Sequence, residues 1–109
     1  MNQNIPLLHC HELHEAQKHQ KNYTLLDVRE EWEYDICHLD DSILIPLGTL
    51  HNKYNQLDKN SPTVVICHSG VRSLHAAKML TSLGFKKVYN LIGGIDEWAR
   101  QIDTTMKTY

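Results

Sequence analysis

Residues 63–73 read Thr63-Val64-Val65-Ile66-Cys67-His68-Ser69-Gly70-Val71-Arg72-Ser73, an aliphatic, β-branched run that meets a cysteine and then a short polar loop. The run has the composition of a buried strand. Beyond the loop, Val71, Leu74, Ala77, Leu80 and Leu83 recur at helical spacing, and Gly84 follows as a C-terminal cap. Cys67 is thereby expected past the carboxyl end of a strand and just before a helix. A helix start offers N–H groups without intrahelical partners and the positive end of a dipole. Both favour the thiolate, which is the nucleophilic form of cysteine. Gly70 can take a positive φ, so that successive amides converge on one point. Arg72 adds a fork of donors suited to an oxyanion such as a sulfonate or thiosulfate. The segment reads as a preorganised site for anionic sulfur rather than an inert apolar cysteine.

The pattern repeats on both sides of this segment. Short aliphatic runs predict strands over 7–8, 24–28, 43–45, 63–66 and 88–91, and helical patterns fall between them over 12–20, 30–36, 50–57, 71–83 and 95–102. Such alternation predicts an α/β three-layer sandwich: a central, mainly parallel five-stranded sheet with helices on both faces. In sheets of this kind ligands bind beyond the carboxyl ends of the strands, where Cys67 is placed. The 109 residues suit one domain over 1–109. Residues 103–109 show no periodicity and are expected to fray.

Composition narrows the function. Hydrophobic residues make up 41% and charged residues 22%, with a net charge of −2, so neither a nucleic-acid footprint nor a membrane partner is expected. No apolar stretch approaches the length of a membrane span, and the N-terminal stretch from Met1 to Pro6 lacks a signal-peptide pattern. Cys10, Cys37 and Cys67 are odd in number and widely spaced, which argues for a reducing compartment and makes the cytoplasm the expected location.

Several separated segments resemble the single-domain rhodanese family. They are Leu25-Leu26-Asp27-Val28-Arg29-Glu30 with Glu33-Tyr34 and His38-Leu39, then Ile45-Pro46-Leu47, then the segment from Val64 to Ser73. The closing matches are Gly84-Phe85, Val88-Tyr89-Asn90-Leu91 and Gly93-Gly94-Ile95-Asp96-Glu97-Trp98. In order, they cover nearly the whole chain. The resemblance implies a rhodanese-like fold and a thiosulfate or persulfide sulfurtransferase with Cys67 as the catalytic residue, carrying a persulfide. The amides of His68, Ser69, Gly70, Val71 and Arg72 would bind the substrate sulfur, with Arg72 orienting an anionic donor. Its partners would be thiosulfate or a persulfidated protein as donor and a thiol or cyanide as acceptor, with no cofactor and no metal. Four residues separate Cys67 from Arg72, whereas related phosphatases have five, so a phosphatase-like reading ranks lower. A sulfur carrier that passes a persulfide between proteins, with little thiosulfate turnover, is the main alternative. Departures from the family pattern fall at Cys37 and Asp41, where glycine or another small residue is usual.

Other candidates have plainer readings. Asp27 and Arg29, with Glu33 nearby, suit a structural ion pair or hydrogen-bond role. His9-Cys10-His11 with His14 brings metal-ligating residue types together but has no second ligand cluster, so surface histidines are expected there. Cys37 could resolve an oxidised Cys67, although incidental burial is the simpler expectation. Trp32 and Trp98 are expected in the packing. Gly93-Gly94 is expected to make a tight turn supporting the active loop.

Overall fold

The structure, a computed structural model, describes residues 4–109, so Met1, Asn2 and Gln3 of the N-terminal stretch lie outside the described residues. Five strands form one sheet: β1 (Leu7–Leu8), β2 (Thr24–Asp27), β3 (Ile43–Leu44), β4 (Thr63–Ile66) and β5 (Val88–Leu91). Their order is β1-β5-β4-β2-β3, and every pairing is parallel. β4 therefore lies at the centre, paired with β2 through Asp27–Ile66 and with β5 through Val65–Asn90. Both edge strands are only two residues long, which limits the unpaired backbone they offer to other chains.

Two apolar layers flank the sheet. On one side α4 (Val71–Ser82) and α3 (Leu50–Lys53) bury Ala76, Ala77, Leu80 and Leu50 against Leu26, Val28, Val65 and Cys67. On the other, α1 (Cys10–Lys18) and α5 (Gly94–Gln101) bury Leu13, Ile95 and Trp98 against Leu25, Val64, Ile66 and Leu91. The alternation along β4 is that of a strand covered on both faces. α2 (Glu31–Ile36) has only Glu33 buried.

Element ends follow local chemistry. α1 starts two residues earlier than the sequence pattern suggests, because the Glu12 carboxylate accepts the His9 N–H at 2.9 Å. α4 stops as expected: Gly84 takes φ 94, and the Phe85 N–H returns to the Leu80 carbonyl at 3.1 Å. The single helix expected over 50–57 is instead a broken series, with 3-10 turns at Leu47–Thr49 and Tyr54–Gln56 on either side of α3. Trp98 is buried as expected, but Trp32 is 60% exposed. Cys37 sits in extended backbone at φ −164, so its side chain carries no conformational cost where glycine is usual. Asp41 does take a left-handed φ of 64, which aspartate tolerates better than most residues.

The tail makes specific contacts with the domain. Residues 103–109 fold back along α5, and Tyr109 ends against α2 and the loop after β4.

Candidate active site

Strand alternation sends the Cys67 side chain into the α4 layer, where the residue is 1% exposed. Gly70, at φ 114, turns the chain into α4, and its N–H donates to Cys67 Sγ at 3.0 Å. It is the one main-chain amide bonded to the sulfur among the described residues. Ser73 Oγ lies 3.2 Å from Sγ on the other flank. The Asn90 amide nitrogen donates to the Gly70 carbonyl at 3.1 Å, so its oxygen faces Ser73 and accepts the serine hydroxyl at 2.5 Å. With that proton committed, a Cys67 thiol donates to Ser73, whereas a thiolate draws the serine proton away from Asn90. Sequence reasoning quoted Ser73 and Asn90 but gave neither a role at the sulfur.

The start of α5 holds the loop from behind. The Ile95 and Asp96 N–H groups donate to the Cys67 and His68 carbonyls at 2.9 and 3.1 Å. Gly93 and Gly94 take φ 78 and 58, and a Cβ on Gly94 would come within 2.6 Å of the His68 oxygen. The glycine pair is thus the loop's support.

The other expected binding residues are spread around this centre. His68 is half-buried, and its ring stacks on Tyr109 at 4.3 Å and 16°. Ser69 and Val71 are exposed. Arg72 is held bidentately by Glu33, with Nη1–Oε1 at 2.6 Å and Nη2–Oε2 at 2.8 Å. The Glu33 carboxylate therefore belongs to the loop's electrostatics, while its carbonyl accepts from Arg29 Nη1 at 3.4 Å. That pair is structural as expected: Arg29 is fully buried, donates to both Asp27 oxygens and caps the Cys37 carbonyl at 2.7 Å. Tyr109 joins the two systems, accepting from Arg29 Nη1 at 2.9 Å and donating to Glu33 Oε2 at 2.7 Å.

Hydrogen bonds from Arg72, with smaller help from the Glu30 N–H and Tyr109, outweigh burial and hold the Glu33 carboxyl down to about 2. Its folded-state value is depressed, so its stabilisation is present above the ordinary 4.5 and is lost as pH falls from there toward 2. Acid titration followed by circular dichroism should show roughly 2–3 kcal/mol lost over that window. Glu33→Gln should remove most of that pH dependence; an unchanged acid limb would show that the carboxylate is not coupled to folding.

The remaining thiols and histidines are not assembled into a site. Burial, and then the Glu97 charge, push the Cys10 thiol up to about 11, and its sulfur faces the Ile92 and Gly94 carbonyls. His9 stacks on His11, while His14 meets the edge of Trp98. No three His, Cys, Asp or Glu side chains among the described residues are grouped to hold a metal ion. A hollow of about 840 Å³ runs between α1, α5 and the turn at Asp40–Asp41, and Cys67 is not among the residues that line it. Around Cys67 a thiol, oriented donors and an arginine come together.

Known proteins resemble this chain over most of its length. The Rhodanese-like domain profile matches residues 10–101. YrkF of Bacillus subtilis, provisionally named a sulfur carrier, is 41% identical over 78 residues, covering 72% of this chain and 42% of that protein. The thiosulfate sulfurtransferase GlpE of Coxiella burnetii is 32% identical over 79 residues, covering 72% of this chain and 74% of GlpE. A rhodanese-related protein of Thermoplasma volcanium superposes with a TM-score of 0.81 at 34% identity, covering 89% of this chain and 93% of that one. By profile, relatives and fold together, the chain belongs to the family of rhodanese-like domains.

Proposed function

We propose that this protein transfers sulfane sulfur through a persulfide on Cys67. The observation that carries this reading is the Gly70 N–H aimed at Cys67 Sγ from the threshold of α4, at 3.0 Å. The Cys67 thiolate attacks the outer sulfur of thiosulfate; a new S–S bond forms, the old one breaks, and its electron pair leaves with sulfite. The negative charge now rests on the outer sulfur, which we assign to the amides of His68, Ser69, Gly70, Val71 and Arg72 to hold. An acceptor thiolate or cyanide then attacks that sulfur, gives a persulfide or thiocyanate, and returns Cys67 as thiolate. A persulfidated protein can replace thiosulfate as donor. Three unpaired cysteines suit a reducing compartment, and we place the activity in the cytoplasm.

Mass spectrometry after thiosulfate treatment tests the first half-reaction. Cys67 should gain one sulfur atom, and cyanide should remove it as thiocyanate over repeated cycles. No gain at Cys67 would refute the reading. Loading with negligible turnover would instead favour a sulfur carrier, a role supported by the buried sulfur and by the YrkF likeness.

Arg72→Ala should weaken use of an anionic donor ~10–100-fold, corresponding to about 1.5–3 kcal/mol for a charge-assisted contact. The measurement is kcat/KM for thiosulfate, and unchanged saturation would remove Arg72 from donor binding.

A further inference from the structure

Arg72 presents a difficulty that the rest of the site resolves. Its guanidinium is already taken by Glu33, yet an anionic donor needs it. Glu33 is 3% exposed, so losing Arg72 without a substitute would strand a buried carboxylate. The structure supplies the substitute. Glu33 Oε1 also accepts the Glu30 N–H at 3.0 Å, and Oε2 also accepts the Tyr109 hydroxyl at 2.7 Å. Each carboxylate oxygen keeps one donor when Arg72 departs.

We propose that Tyr109 is a positioning residue that holds Glu33 while Arg72 turns to an anionic sulfur donor. The inference rests on the sulfur-transfer reading for the identity of that donor. The direction of the hydrogen bonds is fixed by chemistry: Arg29 only donates and an ionised Glu33 only accepts, so the phenol must accept from the first and donate to the second. Arg29 cannot swing away, because it is fully buried and bound to both Asp27 oxygens. Burial, reinforced by the Glu33 bond, pushes the phenol up to about 12, so it stays protonated through any ordinary assay. The ring is fixed as well, stacked on His68 and edge-on to Trp32 at 5.7 Å. Tyr109 lies outside the 10–101 span matched by the family profile, in the tail that follows α5.

Tyr109→Phe isolates the hydroxyl, because the ring and its stack on His68 remain. Without that donor, Arg72 becomes the only partner of Glu33 Oε2 and is harder to release. We expect the KM for thiosulfate to rise ~3–10-fold, with a smaller change in kcat. A pair of alkylating agents reads the same effect without any turnover: iodoacetate carries a negative charge and iodoacetamide does not. The iodoacetate-to-iodoacetamide rate ratio at Cys67 should fall ~3–10-fold in Tyr109→Phe. A general loosening of the loop would change both rates together and leave the ratio intact; that result, or a ratio equal to wild type, would overturn the proposal. Absence of thiosulfate turnover in the wild type would count against the enzyme reading alone, since the alkylation ratio still decides the role of Tyr109.

Discussion

Cys67→Ser should reduce thiocyanate formation from thiosulfate by at least ~10³-fold while leaving the fold intact. The substitution is nearly isosteric, and a serine hydroxyl can still accept the Gly70 N–H and bond to Ser73, so the loop keeps its local partners. What disappears is the chemistry. An oxygen at this position is a poor nucleophile at neutral pH and cannot carry a sulfane sulfur. Thermal unfolding compared with wild type separates lost chemistry from lost structure. Residual turnover near wild-type levels would mean that Cys10 or Cys37 carries the sulfur, and Cys10 is buried with its thiol pushed up to about 11.

The largest effect on stability is expected at Gly94. Alanine there would take a φ of 58 that L-residues rarely adopt, and its Cβ would lie 2.6 Å from the His68 oxygen and 2.7 Å from its carbonyl carbon. Neither neighbour is a flexible side-chain end; both are backbone of the active loop. Strain and overpacking together should cost about 2–5 kcal/mol, lowering Tm by roughly 10–25 °C. The start of α5 must also shift, weakening the bonds from Ile95 and Asp96 to the Cys67 and His68 carbonyls. Calorimetry and Cys67 alkylation on one sample test both consequences. A variant as stable as wild type would show that the turn can relax at no cost. Gly48 is the natural control, since a Cβ there meets nothing within 4 Å and no positive φ is involved.

These features differ in how legible they were from the residues alone. β4, the loop and α4 were readable because each rests on neighbours in sequence: a β-branched run, a glycine, and an apolar stripe at helical spacing. The two-sided sheet followed from the alternation of such units. Less was visible where partners come from far apart. Arg72 looks free for a donor until Glu33, 39 residues away, is seen to hold it. The tail shows no periodicity, and its contacts with the domain are side-chain bonds spanning 76 and 80 residues. Trp32 suggests core by composition, yet α2 buries Glu33 instead and leaves the indole exposed beside Tyr109. The helix expected over 50–57 breaks into two pieces, a short α-helix and a 3-10 turn, whose Leu50 and Leu57 pack into the layer with Leu26, Val28 and Leu80.

The central strand has a consequence for length variation. Because side chains along β4 alternate between layers, one residue inserted or deleted between Thr63 and Cys67 would rotate the nucleophile to the opposite side of the sheet. It would then face Leu13 and Trp98, and Ser73 and Asn90 would be left on the far side. Indels are therefore better tolerated at 58–60, where the residues are exposed, than in the four residues that follow Pro62. Parity along one short strand decides whether the sulfur meets its partners.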